Sequence, residues 1–525
     1  MLLRYHAKDI RGFRSMVKDP ELAQRKRFQK LVGLTSHSEF GEAFGVHKLQ
    51  QLEDIQQIPI QRFSDYRPWI DRIASGEMNI LSKEPTTGFM ETSGTTGSAK
   101  WIPVTASWQR SIQLGQRLWL LQLLCHYPQL THTKTLSIVS SASEQKTIGG
   151  IPVGANTGRM KGAQPFWAKG SYSLPDEIHA IKDPSAKVYA TVRVAMQAPI
   201  GLIVTANPSM VLRYSRAILE WKEELSIDLR HGTLREGPAS LIEEHLRRKI
   251  EQTLAPASVP LSWRLTDVWP LQVISCWKGG PATYFVDRLK NIIGPTVPIQ
   301  EIGITASEGF FSLALGNDLP GDLFWAAGHV VEFMDSNNQS HFCWSLNEGE
   351  RYRLVISTEN GLWRYDLQDT VEVTGFIGRL PLLRFVGKSG RFLNAVGEKI
   401  SEAHISELML RASQQFKWQV EGFTARTHWD EVPKVILAVE PKGNLPKDCA
   451  MVMDTLLQDI NPEYKSKRTS ERLLPLEIET LPEGTYRKYR KNQILSGAPD
   501  GQIKDFILAL SDDDWNTFMG KAVGQ

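Results

Sequence analysis

The chain has 525 residues, which is long for a single hydrophobic core, so we expect two or more domains. Hydrophobic residues make up 41% of the sequence and charged residues 23%, the balance of an ordinary globular soluble protein. The 61 basic and 58 acidic residues leave a net charge of +3, which argues against a dedicated nucleic-acid-binding protein because such a protein carries a strong basic excess.

The first part of the chain alternates between helical and strand-like segments. The patterns predict helices within 1–80, a loop and strand over 88–105, a helix over 107–126 that begins at a Ser107 cap, a strand over 135–141, and a loop over 150–185. They then predict a strand over 200–206, a helix from Asn207 to about 225, a charged helix within 235–260, a strand over 268–277, and a turn and helix over 279–293. Alternation of strands and helices is typical of an α/β fold.

The second part of the chain is different in pattern. Short strands between turn residues predict a β-rich subdomain over about 309–386. Within it, the turn signal Glu-Asn-Gly at 359–361 has alternating flanks, which predicts a hairpin. After 387–391, GKSGR, the pattern predicts a smaller α+β unit whose clearest strand is 434–440.

Location and redox state follow from the apolar runs and the cysteines. The N-terminus has no uninterrupted apolar run of signal-peptide length, and the longest apolar run, 118–127, contains Gln122 and is too short to span a bilayer. We therefore expect a cytoplasmic protein without a membrane span. Widely spaced cysteines without a CxxC pair predict free, buried thiols, and these are Cys125, Cys276, Cys343 and Cys449.

The segment SGTTGSAK, residues 93–100, has the composition of an anion cradle. Glycines let backbone N–H groups approach a phosphate, hydroxyls add donors, and Lys100 adds a positive charge. The spacing of Gly94 and Gly97, and Trp101 after the lysine, exclude a Walker loop. A solvated Ser/Thr/Gly turn explains the composition equally well.

Three later segments contain candidate charged groups. Glu308 ends the small-residue segment EIGITASEG, where a carboxylate beside a phosphate loop can hold Mg²⁺ and where a helix start is the simpler alternative. Asp366 and Asp369 lie in the segment YDLQD, either as ribose-binding acids or as surface turn residues. Lys504 follows a Gly-rich turn, either as a lysine that closes over an active site or as a surface group.

The order and spacing of these motifs resemble the acyl-adenylate-forming superfamily. More narrowly, the chain resembles the acid–amido synthetases that join auxin or jasmonate to amino acids in plants, together with their bacterial relatives. The likeness covers roughly 55–510, and the motifs that give it are IPIQRFSDYRPWIDRIASGEMNIL, SGTTGSAK, ASEG, GLWRYDLQDTVEVTGF, PLLRFVGKSGRFLNAVGEKISE and GTYRKYRKN followed by GQIK.

The resemblance implies roles for individual residues. The residues that match the family's phosphate loop are Ser93, Gly94, Thr95, Thr96, Gly97 and Lys100. Ser307 and Glu308 match the end of the YxxSE motif, in which the acid is linked to Mg²⁺. Asp369 matches the ribose-binding acid, Lys388 falls at the hinge of the C-terminal domain, and Lys504 matches the lysine that reaches the α-phosphate.

The sequence departs from the family pattern at three positions within these motifs. Ile304 replaces the tyrosine that begins YxxSE, so adenine would lie against an aliphatic side chain. Asp366 and Gln368 replace the arginine and glycine of YRxGD. GQIK is also followed by Asp505 rather than by the proline common in the family. The resemblance implies that the chain binds a nucleotide, and these changes lie at positions that affect the affinity for that nucleotide.

The resemblance implies an α/β fold with a large N-terminal domain over 1–387 and a smaller, mobile α+β C-terminal domain over 388–525. The implied function is an ATP- and Mg²⁺-dependent ligase that activates a small carboxylic acid as acyl-AMP. It then transfers the acyl group to an amine, with an amino acid as the expected acceptor, and releases AMP. Two alternatives stay open: transfer to coenzyme A or a carrier thiol, and a nucleotide-binding homologue without catalysis. We expect a monomer or weak homodimer.

One helix is a candidate for the acid pocket. In relatives of the superfamily the pocket lies beside the phosphate loop and the helices after it. Apolar residues of the predicted helix 107–126 therefore either line an apolar acid site or pack into the core, and these are Leu118, Trp119, Leu121 and Leu123.

Overall fold

A computed structural model describes residues 6–92, 100–137, 145–154, 170–430, 432–498 and 503–523. The helices of its N-terminal part are α1 (Ala7–Lys18), α2 (Pro20–Thr35), α3 (Glu39–Ala43), α4 (Phe63–Ala74), α5 (Ala106–His126), α6 (Pro184–Ala195), α7 (Ser209–Glu220), α8 (Lys222–His231), α9 (Glu244–Glu251), α10 (Leu265–Val268) and α11 (Thr283–Ile293). The later helices are α12 (Glu402–Phe416), α13 (Cys449–Ile460), α14 (Pro462–Thr469), α15 (Thr485–Leu495) and α16 (Asp512–Val523).

The strands before residue 310 are β1 (Gly88–Thr92), β2 (Lys100–Val104), β3 (Lys134–Ser137), β4 (Gln145–Lys146), β5 (Pro152–Gly154), β6 (Ile200–Val204), β7 (Val273–Ser275), β8 (Ile299–Gln300), β9 (Thr305–Ala306) and β10 (Gly309–Phe310). Those that follow, up to the hinge region, are β11 (Ser312–Leu313), β12 (Asp322–Phe324), β13 (Val330–Met334), β14 (Ser340–His341), β15 (Arg351–Ser357), β16 (Tyr365–Ile377) and β17 (Leu380–Lys388). The last strands are β18 (Phe392–Leu393), β19 (Ile400–Ser401), β20 (Val420–His428), β21 (Lys434–Pro441), β22 (Glu477–Thr480) and β23 (Leu508–Ala509).

The strands form several separate sheets. A parallel sheet has the order β3-β6-β7-β8, and its strands are joined through helices, as expected of an α/β fold. An antiparallel sheet, β11-β12-β17-β16-β15-β13-β14, forms the β-rich part. The smaller sheet β22-β21-β20-β23 lies in the C-terminal part, where the predicted strand 434–440 is confirmed as β21.

Two large apolar clusters hold these layers together. One cluster joins the N-terminal helices, α5 and the β-rich sheet, and the other joins the parallel sheet and its helices to the C-terminal part. Within the second cluster, Tyr284 of α11 packs edge-on against Phe423 of β20, with ring centroids 4.9 Å apart. The C-terminal part is therefore in apolar contact with the N-terminal part in this conformation. No helix among the described residues is long and apolar enough to cross a membrane.

Two local expectations from the sequence are wrong. Helix α5 is capped by Thr105, whose Oγ1 accepts the N–H of Trp108 at 3.3 Å, because Ser107 instead bonds the carboxylate of Glu84 through its own N–H and Oγ at 2.8 and 2.7 Å. The helix predicted from Asn207 to about 225 is broken at Trp221, whose backbone leaves the helical region while its ring packs against the core.

The cysteine prediction holds in part. All four cysteines are free, and three of them are buried as expected, but Cys125 is exposed near the end of α5. The apolar residues Leu118, Leu121 and Leu123 of the same helix are buried in core clusters, which favours the core-packing alternative for them. Trp119 is only partly buried against two of these clusters.

A glycine in α5 sets how closely this helix approaches the strand β10. A Cβ atom added at Gly115 would lie 2.6 Å from the ring of the buried Phe310. We expect Gly115→Ala to destabilise the protein by about 1–2 kcal/mol, because overpacking costs about 1–3 kcal/mol and outweighs the gain of about 1 kcal/mol that alanine brings to a helix interior. The midpoint of thermal unfolding measures the effect.

Gly33→Ala in α2 is the matched control for Gly115→Ala. An added Cβ at Gly33 meets no atom within 4 Å, so only the helix-propensity term remains and the unfolding midpoint should rise or stay constant. A Gly115→Ala variant as stable as Gly33→Ala would show that Phe310 moves aside freely and that the spacing between α5 and β10 is loose.

Candidate active site

An ion pair between the buried Asp369 and the half-buried Lys388 joins two neighbouring strands of the β-rich sheet. Asp369 on β16 is paired directly with Lys388 on β17, and the Lys388 Nζ lies 2.7 Å from Asp369 Oδ1 and donates to the Leu367 carbonyl at 3.2 Å. Burial disfavours the charged ammonium, but the carboxylates of Asp369 and then Glu308 outweigh it and hold the pKa of Lys388 above that of an ordinary lysine. Lys388 is therefore charged beside two acids.

Glu308 lies in the two-residue turn between β9 and β10. The helix start that the sequence offered as the simpler alternative is wrong, because the chain around Glu308 is a tight hairpin. Its carbonyl accepts the indole N–H of Trp108 at 2.8 Å, and only 8% of the residue is exposed. Burial raises the pKa of the Glu308 carboxyl, and Lys388 opposes that shift. The Tyr365 hydroxyl lies beside this carboxyl, and burial followed by the negative charge of Glu308 raises its pKa.

Two further lysines are near enough to interact with these groups. Lys100 is the first residue of β2, with its Nζ 5.6 Å from the ring centroid of Phe63, and burial lowers its pKa while Glu308 opposes that change. Lys504 precedes β23, and the surrounding protein, followed by Lys388, lowers its pKa. Residue 504 is exposed to solvent, and the carboxylates of Asp369, Glu402 and Glu308 oppose the lowering of its pKa without cancelling it.

Contacts between the N- and C-terminal parts hold the segment around Lys504 in place. Asn207, which follows the parallel strand β6, donates from Nδ2 to Asp505 Oδ2 at 3.0 Å and to the Ile503 carbonyl at 3.5 Å. Further along the same boundary Arg216 of α7 forms a two-pronged ion pair with Glu421 of β20. The segment on both sides of Lys504 is thus tied to the carboxyl end of a strand in the parallel sheet.

The remaining sequence-predicted residues are placed as follows. Ile304 is 7% exposed and belongs to the apolar cluster of the N-terminal part, with its N–H bonded to Ser312 Oγ at 2.7 Å, and Ser307 is half-buried in the turn. Strands β1 and β2 pair up to Thr92 opposite Lys100. The phosphate-loop candidates lie between these strands and outside the described residues: Ser93, Gly94, Thr95, Thr96 and Gly97.

Three family models match the chain in consecutive order. They are described as the GH3 family N-terminal domain, over residues 9–299, the GH3 family central domain, over 323–388, and the GH3 family C-terminal domain, over 403–511. The first of them alone matches more than half of the chain. The chain belongs to the GH3 family. The boundary that we predicted at 387–388 stays a prediction.

Similar proteins cover nearly the whole of this GH3 chain. Indole-3-acetic acid-amido synthetase GH3.4 of Arabidopsis thaliana is 24% identical over 95% of this chain and 90% of its own length. Jasmonoyl–L-amino acid synthetase JAR6 of Nicotiana attenuata is 23% identical over 95% of this chain and 92% of its own. The solved structure of GH3.15 acyl acid amido synthetase superposes with a TM-score of 0.85 at 18% identity, over 97% of this chain and 95% of that one. The predicted fold class is confirmed.

The turn at 366–369 shows how this GH3 chain accommodates its departures from the family motif. Gln368 has φ of 60°, a left-handed conformation that glycine adopts without strain. Asp366, in the arginine position, accepts the N–H of Gln368 at 3.1 Å and pairs with Arg353 at 2.7 Å. The left-handed conformation is costly for glutamine, and the hydrogen bond to the Asp366 carboxylate stabilises it. The two departures from the family motif therefore compensate each other. Asp369 keeps its place in the ion pair.

Sequence reasoning missed several groups that act on the site of this GH3 chain. Tyr365 lies beside Glu308, Glu402 at the start of α12 adds a negative charge near Lys388 and Lys504, and Asn207 bonds Asp505. Tyr365 lay inside the recognised YDLQD segment, so that motif could have pointed to it. Asn207 lies at the start of a predicted helix, and nothing in the sequence indicates its partner.

The carboxylates of the candidate site can be compared with the ligands that Mg²⁺ usually has in proteins. Among the described parts of the chain, no group of three or more His, Cys, Asp and Glu side chains is arranged to hold a metal ion. Mg²⁺ in phosphate-transfer sites is usually held by one or two carboxylates together with substrate phosphates and water, rather than by a protein cage. The buried Glu308 carboxylate, with Asp369 already paired to Lys388, fits that arrangement.

Proposed function

We propose that this chain is an ATP-dependent acyl acid–amido synthetase, which activates a small carboxylic acid as acyl-AMP and transfers the acyl group to an amine, in the first instance an amino acid. The observation that supports it best is the meeting of Lys504, the Asp369–Lys388 pair and the buried Glu308, which come from distant parts of the sequence. Membership of the GH3 family, with relatives named for acid–amido synthesis, supports the same reaction.

In the first half-reaction a carboxylate oxygen of the acid attacks the α-phosphorus of ATP, and pyrophosphate leaves. The obstacle is electrostatic, since an anion approaches an anion. The ammonium groups of Lys504 and Lys100 would stabilise the charge that develops on the α-phosphate, together with backbone N–H groups of residues 93–97. Removal of one such donor typically slows the reaction by about 10²- to 10³-fold.

Asp369 and Glu308 take different roles in this proposal. Asp369 would accept the ribose hydroxyls, its carboxylate being held in place by Lys388. Glu308 would hold Mg²⁺, which when bound offsets the charge of the phosphates. Ile304 beside the adenine stays a prediction, and so does the hinge at Lys388.

In the second half-reaction the amine nitrogen attacks the acyl carbon, a proton leaves the nitrogen and AMP departs. The acyl group does not need a covalent bond to the enzyme, because acyl-AMP is already an activated donor. Rotation of the C-terminal part would withdraw Lys504 and open a path for the amine. That motion requires the contacts of Asn207 with Asp505 and of Arg216 with Glu421 to break.

A two-step assay tests the proposal. Carboxylic acids are first screened for acid-dependent ATP–pyrophosphate exchange, and the products formed with amino acids or with coenzyme A are then identified by mass spectrometry. An amide product supports the proposal, and a thioester product would replace it by the thiol-transfer alternative. Nucleotide binding without exchange, for a broad panel of acids, would leave the non-catalytic alternative.

The activity should have an alkaline limit that belongs to Lys504. Its pKa lies below the ordinary 10.5, so the ammonium loses its proton, and the proposed stabilisation of the phosphate, as the pH rises through a value below 10.5. We expect kcat/KM for ATP in the exchange reaction to fall there, since this parameter reports the free enzyme. In Lys504→Arg the guanidinium keeps its charge, so the alkaline limb should move to higher pH. If the alkaline limb of Lys504→Arg lies at the same pH as that of the wild type, the group that titrates there is not Lys504.

A further inference from the structure

A buried hydrogen bond between a histidine and a glutamate lies beside the turn that contains Glu308. His329, just before β13, donates from Nδ1 to Glu359 Oε2 at 2.9 Å, and both side chains are completely inaccessible to solvent. Glu359 belongs to the turn between β15 and β16, whose hairpin the sequence predicted correctly from the Glu-Asn-Gly signal. No pattern in the sequence indicates that this turn residue is buried with a histidine.

Glu359 joins the helices of the N-terminal part to this turn. Its Oε1 accepts hydrogen bonds from Arg27 of α2 at 2.9 Å and from Ser111 Oγ of α5 at 2.6 Å. Burial alone would raise the pKa of this carboxyl, but the hydrogen bond and charge of His329, followed by Arg27 and Ser111, lower it to about 2. Its carbonyl also accepts the hydroxyl of Thr105, the cap of α5, at 3.2 Å.

The opposite edge of the His329 ring lies against the residue after Glu308. A Cβ atom added at Gly309 would be 2.7 Å from His329 Nε2 and 2.6 Å from its Cδ2, so the ring and this backbone are in the closest contact that glycine allows. Nε2 has no hydrogen-bond partner within the described residues, although it is buried. On the other side of the turn Trp108 of α5 bonds the Glu308 carbonyl.

Two groups contact the turn at residues 308–309, and both are connected to the carboxylate of Glu359. His329 presses on Gly309 and is held by Glu359, while Trp108 holds Glu308 from a helix that Glu359 also binds through Ser111. We propose that the His329–Glu359 pair is a positioning device that fixes the backbone at residues 308–309 and thereby the carboxylate that would hold Mg²⁺. This inference rests on the proposed role of Glu308.

A purely structural role for the pair is the competing explanation, and stability alone does not separate the two. Removal of one partner of a buried polar pair is strongly destabilising wherever the pair lies. Residues that orient a metal ligand have a different signature, because their loss typically weakens metal affinity or activity by about 10- to 100-fold. The dependence on Mg²⁺ is therefore the measurement that distinguishes them.

The test measures binding of a non-hydrolysable ATP analogue by calorimetry at several Mg²⁺ concentrations, with ATP–pyrophosphate exchange as a second readout. In Glu359→Gln and His329→Phe we expect the Mg²⁺ concentration for half-maximal binding to rise by about 10-fold or more. Ser111→Ala, which removes one donor to Glu359, keeps the question answerable if the stronger variants do not fold, and should give a smaller shift in the same direction.

Asp454→Asn is the matched control. Asp454 is a buried carboxylate in the C-terminal part that accepts Tyr464 Oη at 2.6 Å and Arg468 Nε at 3.0 Å, so its loss should lower stability without changing the Mg²⁺ dependence. If the pair variants lose stability as Asp454→Asn does and keep the wild-type Mg²⁺ dependence, the pair is structural only and the proposal fails.

The two proposals fail in different ways. A wild-type chain that binds the Mg²⁺–nucleotide but exchanges no pyrophosphate overturns the proposed ligase activity, while the comparison of Mg²⁺ dependence between variants still decides the role of the pair. A wild-type chain whose nucleotide binding does not respond to Mg²⁺ overturns the positioning role, since no metal would be held at Glu308.

Discussion

Replacing Lys504 by alanine is expected to slow acyl-adenylate formation by about 10²- to 10³-fold while ATP binding stays largely intact. The reason lies in the placement of its ammonium, which faces Asp369, Glu402 and Glu308 together with the positive Lys388. A group in that position would act on the charge that develops at the α-phosphate. The measurements are acid-dependent ATP–pyrophosphate exchange for the rate and calorimetry for nucleotide binding.

Lys488→Ala provides the control for Lys504→Ala. Lys488 is an exposed lysine of α15 in the same C-terminal part, so its loss changes the net charge equally without removing a group from the candidate site. Its exchange rate should match the wild type. Equal exchange rates for Lys504→Ala and wild type would remove Lys504 from the proposed mechanism, whatever the family motif implies.

The fold was predictable because local patterns agree with the final architecture. The buried strand Ile200–Val204, the hairpin of β15 and β16 and the strand Lys434–Pro441 all follow from apolar periodicity and turn residues, which act over a few positions. The errors arose where a distant group changed a local choice. Ser107 was a sound cap by composition, but the carboxylate of Glu84 engages it and Thr105 takes its place.

The site was predictable only as a set of motifs in a particular order. Glu308, Asp369 and Lys504 were assigned roles from the family resemblance, and the structure brings them to one region of the molecule. Their supporting contacts join positions hundreds of residues apart, such as Trp108 with the Glu308 carbonyl or Ser111 with Glu359. Such pairings depend on how the sheets and helices pack, and no periodicity in the sequence encodes them.

Asp369→Asn is expected to weaken nucleotide binding by about 10- to 100-fold, because a hydrogen bond to a charged group contributes about 1.5–3 kcal/mol and each 1.4 kcal/mol is a factor of ten. The amide keeps the shape of the carboxylate but loses the charge that would accept both ribose hydroxyls. Calorimetric titration with ATP measures the loss. Glu372→Gln on the same strand, which breaks ion pairs with Arg384 and Arg351 nearer the surface, should leave the affinity unchanged.

The same substitution should also change stability in a pH-dependent way. Asp369 contributes to the raised pKa of Lys388, so the pair stabilises the folded state while Lys388 is protonated. This contribution is complete below the ordinary lysine pKa of 10.5 and is lost as the pH rises through the higher value of the folded protein. The difference in unfolding midpoint between wild type and Asp369→Asn should therefore be present at neutral pH and shrink only at strongly alkaline pH.

The double variant Asp369→Asn with Lys388→Met separates the structural role of the pair from its proposed role in binding. Removal of Asp369 alone leaves the half-buried Lys388 ammonium without its carboxylate, which is the costly state, whereas removal of both charges relieves it. We expect the unfolding midpoint of the double variant to recover toward wild type. Nucleotide affinity should not recover, because the ribose acceptor is still absent. Recovery of both would mean that Asp369 supports the site only through the fold.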